Sequence, residues 1–88
     1  MEHKNEEFQK DVMMYQAQAL QLAGNTDQAL EIYDQVVEAF PDGDVYLSRG
    51  SLHLTRKEYD GAKEDFEKAL NENRSYEMCL KIYQLYQD

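Results

Sequence analysis

Tyr46-Leu47-Ser48-Arg49-Gly50, continued by Ser51-Leu52-His53-Leu54-Thr55-Arg56 and then Lys57-Glu58-Tyr59-Asp60-Gly61-Ala62-Lys63-Glu64-Asp65-Phe66-Glu67-Lys68-Ala69-Leu70, is the stretch on which the fold turns. Tyr46-Leu47 and Leu52-His53-Leu54 alone could pass for short strand fragments. The good helix formers around them and the absence of hairpin turns instead predict two helices, about 44–56 and about 60–71. At an offset of 33 positions the pattern recurs: Gly50 aligns with Ala17, Ala62 with Ala29, Phe66 with Tyr33, Ala69 with Val36 and Leu70 with Val37. Small residues meet small ones, and aromatic meets aromatic. A helix pair cannot bury its apolar face alone, so two such pairs are expected to stack, with the small residues marking close backbone approach.

Working outward, Phe8, Val12, Met13, Ala17 and Leu20 recur at three- and four-residue steps and predict a helix from Asn5 to Ala23. Asn5 is a plausible N-cap, with Glu6 and Glu7 in the first turn, and Gly24 is a stop. Asn25 with Gln28 reads as a capping box for a second helix whose buried stripe is Ala29, Ile32, Tyr33, Val36, Val37 and Phe40. Pro41-Asp42-Gly43 ends it and turns the chain. Ser75 can cap a last helix on which Tyr76, Cys79, Ile82, Tyr83 and Tyr86 share a face. Tyr83 stands where a further repeat would carry a small residue, so this helix is expected to cap the array, although the same tyrosines could cover a partner chain.

The chain of 88 residues suits one small domain, and its 42% apolar and 31% charged content with a single proline describes a globular helix-rich protein. No apolar run approaches the roughly 18 residues of a membrane span, and Met1-Glu2-His3-Lys4-Asn5-Glu6-Glu7 is too polar for a signal peptide, so a cytoplasmic location is expected. The net charge is −9, and its densest part is residues 24–48, with six acids and no base. Such a surface argues against nucleic acid and anionic membrane as partners and leaves basic partners open. Asp27, Glu31, Asp34 and Glu38 form an acidic ridge on one side of the second helix, which either is a solvated face or attracts a basic segment.

Catalytic candidates are too scattered to assemble a nucleophile, a base and stabilising donors, so no enzyme activity, cofactor or metal site is expected. His3 falls in a polar tail, and His53 reads as a packing residue. Cys79 cannot form an internal disulfide and reads as a buried thiol. Asp42-Gly43-Asp44 lacks the further ligands of a calcium loop and reads as a turn and cap.

The ordered aromatic, glycine, tyrosine, alanine, aromatic and alanine positions of 46–70, with Met13, Ala17, Leu20, Gly24, Ala29, Tyr33, Val36 and Pro41 in the looser first copy, resemble the tetratricopeptide repeat family over about residues 10–76. Arg74 departs from the closing proline of the second copy, His53 from a bulky apolar or tyrosine side chain, and Gln16 from an aliphatic one. The interval of 33 is one below the usual value of about 34, which a turn shortened by one residue explains. The resemblance implies an all-α, right-handed superhelical array of antiparallel helix hairpins in a single domain over 1–88. Repeat one would cover about 10–42, repeat two about 43–76 and a C-terminal capping helix about 75–88.

The resemblance also implies a concave groove lined by the first helix of each pair. Carried over, its lining is Asp11, Met14, Gln18, Gln21 and Leu22, then Asp44, Leu47, Ser51, Leu54 and Thr55, and finally Leu80 and Gln84. Met14, Leu47, Leu54 and Leu80 are apolar anchors in a neutral to acidic rim, which suits an amphipathic or basic peptide. The positions of the carboxylate clamp that some co-chaperones of this family use hold Met14, Gln18, Ser48, Glu77 and Lys81. With Lys81 the single cation there, capture of acidic chaperone tails is not expected.

The expected function is therefore a non-enzymatic interaction module, an adaptor or scaffold that binds a protein or peptide. The alternative is a self-associating homodimer that buries the groove and the C-terminal tyrosine face, since fewer than three repeats are marginal alone. A piece of a longer array is a third reading, against which the opening Met and the bulky last helix argue.

Overall fold

A computed structural model describes residues 2–87, with side chains from Glu7 onward. It contains α1 (Glu2–Leu22), α2 (Thr26–Ala39), α3 (Gly43–Thr55), α4 (Tyr59–Glu72) and α5 (Tyr76–Gln87), and no strand among the described residues. Helix α1 starts three residues earlier than expected, so Asn5 lies inside it; the side chains of His3, Asn5 and Glu6 lie outside the described residues. Two compact units are formed, one ending at Pro41 and the other starting at Asp42.

In the first unit α1 packs on α2. Ala17, Ala29, Tyr33 and Val36 are buried, and the two alanines allow close approach of the helices. Helix α1 ends in a Schellman motif. Gly24 adopts φ +88°, its N–H bonds to the Gln21 carbonyl at 3.1 Å, and the Asn25 N–H reaches the Leu20 carbonyl at 2.8 Å. Asn25 occupies the N-cap position of α2 but makes no side-chain cap hydrogen bond, so the capping box with Gln28 does not form. Its backbone φ −87°, ψ 65° is outside the extended region from which a cap side chain reaches forward. Phe40 precedes Pro41 and is driven to φ −136°, which ends α2.

The apolar stripe of α1 is narrower than its sequence suggests: Phe8 and Val12 are exposed, whereas Met13 and Leu20 are partly buried around Ala17. Phe8 lies more than two turns ahead of Ala17, beyond the buried part of the helix.

In the second unit α3 packs on α4, and α4 on α5. Ala62, Phe66, Ala69, Met78 and Ile82 form its buried cluster, with Tyr46, Leu47, Leu54, Leu70 and Leu85 packed around it. Gly50 faces the Phe66 ring so closely that a Cβ there would lie 2.7 Å from it. Helix α3 also ends in a Schellman motif, with bonds from the Lys57 N–H to Leu54 and from the Glu58 N–H to His53 at 3.0 and 2.8 Å. Lys57 takes the left-handed place, at φ +65°, that Gly24 holds in the first unit.

Ser75 caps α5 as expected, its Oγ accepting the Met78 N–H at 3.1 Å. The buried face of α5 shares Ile82 with the expected one and otherwise differs from it. Met78 and Ile82 enter the cluster and Leu85 packs against it, while Tyr76, Cys79 and Tyr83 are exposed. The expectation of a buried thiol is thus corrected. Both stripes of α5 are apolar at helical spacing, and the aliphatic one fills the space beside Phe66 and Ala69 without bringing a phenol hydroxyl that would need a buried partner.

Candidate functional site

The second unit carries an open cleft of about 440 Å³ where the C-terminal ends of α3 and α5 meet the start of α4. Ser51, Leu54 and Thr55 come from one face of α3, Leu85 and Tyr86 from α5, and Lys57 and Tyr59 from the connection into α4. Local chemistry places each of them. The left-handed turn at Lys57 reverses the chain and brings Tyr59 to the mouth of the cleft. Thr55 Oγ1 donates back to the Ser51 carbonyl at 3.1 Å, so its methyl is left for the surface. Tyr86 is held by an edge-to-face contact with Phe66, the ring centroids 5.4 Å apart at 77°.

Of the groove residues read from sequence, Ser51, Leu54 and Thr55 come together here. Leu47 is half-buried and belongs to the packing around the cluster; Asp44 is exposed. Leu80 and Gln84 are exposed on α5, but the α5 residues that line the cleft are Leu85 and Tyr86. On α1, Asp11, Gln18 and Leu22 are exposed and Met14 is half-buried. Gln21 is half-buried, its Oε1 accepting the Tyr33 hydroxyl at 3.4 Å. Asp27, Glu31, Asp34 and Glu38 are all exposed on α2.

The groove read from sequence leaves out Lys57, Tyr59, Leu85 and Tyr86, although Tyr86 is among the tyrosines read as able to cover a partner chain. The signal available for the last two was the Met78, Ile82, Leu85 spacing, which turns α5 so that its end faces α3. Lys57 had a weaker one, in its alignment with Gly24 at the offset of 33.

Behind the cleft, polar groups tie α3 to α4. Asp65 is almost fully buried and accepts two hydrogen bonds from Arg49, from Nε at 2.8 Å and Nη2 at 2.6 Å. His53 lies between two carboxylates, with Nδ1 2.8 Å from Glu58 Oε1 and Nε2 3.6 Å from Asp65 Oδ2. Arg56 Nε donates to the same Glu58 oxygen at 3.0 Å. Hydrogen bonds from the His53 ring and from Arg56 hold the Glu58 carboxyl below the usual carboxylate range. Burial pushes the Tyr33 phenol up in the first unit.

His53 thus does more than fill space: its ring also packs over Gly61, where a Cβ would sit 3.2 Å from it. Every buried side-chain nitrogen and oxygen among the described residues has a hydrogen-bond partner. Arranged this way, the charges fasten two helices, while the neighbouring cleft presents apolar surface rimmed by hydroxyls and one ammonium.

Two models of the family described as Tetratricopeptide repeat match the chain, one over residues 11–43 and the other over residues 43–76. No curated protein and no solved structure matched it. Among the described residues no helix is long and apolar enough to cross a membrane.

Proposed function

From the membership of this chain in the tetratricopeptide repeat family, whose repeats mediate protein–protein interaction, we propose that it captures a segment of a partner protein through the α3–α5 cleft. The observation that carries this reading is the cleft's composition. Leu54, Leu85 and Tyr86 offer an apolar floor for one large side chain of the segment. The Ser51 and Tyr59 hydroxyls offer hydrogen bonds to its flanks, as pockets for single anchors do.

The occupant that suits both the cleft and the chain is an amphipathic segment. Its apolar anchor enters beside Lys57, and basic residues elsewhere along it meet the acidic balance of a protein with net charge −9. Asp44 and Leu80, also in the second unit, remain in this reading as further contact residues. Nothing in it calls for catalysis or a cofactor: the polar groups are engaged in fastening helices, and the cleft needs only to hold an anchor.

Two labelled amphipathic helical peptides that share one apolar face, with lysines on the polar face of one and glutamates on that of the other, test the reading by fluorescence anisotropy. The lysine peptide should bind, bind more weakly as salt rises, and lose at least tenfold in affinity to Thr55→Arg, which fills the cleft from an exposed position. Equal binding of both peptides would remove the electrostatic part. Indifference to Thr55→Arg would remove the cleft.

A further inference from the structure

Helix α1 carries two apolar stripes, and α2 uses one. The other runs Phe8, Val12, Tyr15, Ala19, Leu22, in steps of four, three, four and three residues. All five are exposed on α1, Phe8 at 70%, Tyr15 at 69% and Leu22 at 90%. A 4-3-4-3 alternation is the seam of a two-helix coiled coil, with Phe8, Tyr15 and Leu22 at d positions and Val12 and Ala19 at a positions. We infer that this seam pairs with the same seam on a second copy of the chain, the two α1 helices running antiparallel about a two-fold axis midway between Val12 and Tyr15.

Three features favour a second copy as the occupant. The first is shape. In that antiparallel register Phe8 lies against Ala19 of the second copy and Tyr15 against its Val12, so each ring meets a smaller side chain, and the isologous contact closes as a dimer.

The second is charge. A chain of net charge −9 repels its copies, and a self-interface therefore has to lie where charge is low. Gln9, Gln16, Gln18 and Ala23, at the positions flanking the seam, are uncharged, and Asp11 brings a single acid. The exposed side of α2 instead repeats Asp27, Glu31, Asp34 and Glu38.

The third is order. Helix α1 is already held helical by α2, so pairing does not carry the nucleation cost that makes short isolated coiled coils marginal. In this register the mutual contact, from Phe8 to Ala19, runs about 16 Å at 1.5 Å per residue. It is short, and a reversible dimer in the micromolar range is the expectation. Such a dimer displays two α3–α5 clefts, so a partner with two anchoring segments gains avidity.

Sedimentation equilibrium of the full chain over a wide concentration range tests the pairing. The weight-average mass should climb from 10.4 kDa toward twice that value. Tyr15→Glu, and separately Val12→Glu with Tyr15→Glu, should hold it at the lower value with unchanged helical circular dichroism. Tyr83→Glu on α5 and Thr55→Arg at the cleft should leave dimerisation intact, which separates this inference from the binding function. In a Cys79→Ser background, an oxidised mixture of Val12→Cys and Tyr15→Cys chains should form the mixed disulfide in preference to either homodisulfide.

A constant mass of 10.4 kDa at every concentration would overturn the proposal, as would association that survives the α1 variants and is lost with Tyr83→Glu. Predominant homodisulfides would overturn the antiparallel register.

Discussion

Replacing Gly50 by alanine sets two effects of known size against each other. Gly50 lies in the interior of α3, where alanine is favoured over glycine by about 1 kcal/mol of helix propensity. The added Cβ, however, would stand 2.7 and 2.9 Å from two Phe66 ring carbons and 3.1 Å from Asp65 Cβ. Neither neighbour can yield cheaply. Phe66 is 3% exposed and has the Tyr86 ring against it, and Asp65 is pinned by two bonds from Arg49. Overpacking of this kind costs about 1–3 kcal/mol, so Gly50→Ala should be destabilising by about 1 kcal/mol net.

Urea denaturation followed by circular dichroism measures the change, and for a chain of 88 residues a fall of about 4–8 °C in melting temperature corresponds to it. A second arm isolates the cause. In a Phe66→Leu background, which has its own cost, the ring edge is gone and Gly50→Ala should become neutral or stabilising. If Gly50→Ala stabilises the unmodified protein, or if its cost is the same in both backgrounds, the argument from close approach fails.

The two left-handed residues make a paired prediction. Gly24→Ala meets nothing within 4 Å, so its expected loss of about 1 kcal/mol is purely conformational, whereas Lys57→Gly should gain up to about 1 kcal/mol by relieving φ +65°; thermal melts of both variants check the opposite signs. Asp65→Ala removes the buried carboxylate that accepts two hydrogen bonds from Arg49 and should cost about 3 kcal/mol in chemical denaturation. Because the Glu58 carboxyl titrates below its ordinary range when folded, its contribution is fully present above that range and is lost as pH falls through the lowered value. Melting temperatures between about pH 6 and pH 3 should therefore drop less steeply for Glu58→Gln than for the unmodified chain.

Much of the helical plan was legible in the sequence because it rests on local rules. Gly24 after a periodic run, Pro41 behind Phe40 and Ser75 ahead of α5 each act on their own few residues, and each acts as expected. Tyr33, Val36, Ala62, Phe66 and Ala69 are buried because the 33-residue recurrence marked them as the inner face of hairpins. The cleft was legible in part. Ser51, Leu54 and Thr55 share a face that helical spacing defines, but their companions Leu85 and Tyr86 depend on how α5 is rotated, and spacing alone allowed two rotations.

The sequence by itself determined that this chain is a run of helices paired as hairpins, because caps, breakers and small residues act over one or two turns. Tertiary structure alone decided which apolar stripe of α5 goes inward, that Cys79 is exposed, and that His53 sits between Glu58 and Asp65. These outcomes depend on the volume left beside Phe66 and Ala69 and on charges brought together from separate helices. A choice between two stripes of similar hydrophobicity is settled by the shape and polarity of the surface they meet, and that surface exists only once α3 and α4 have packed.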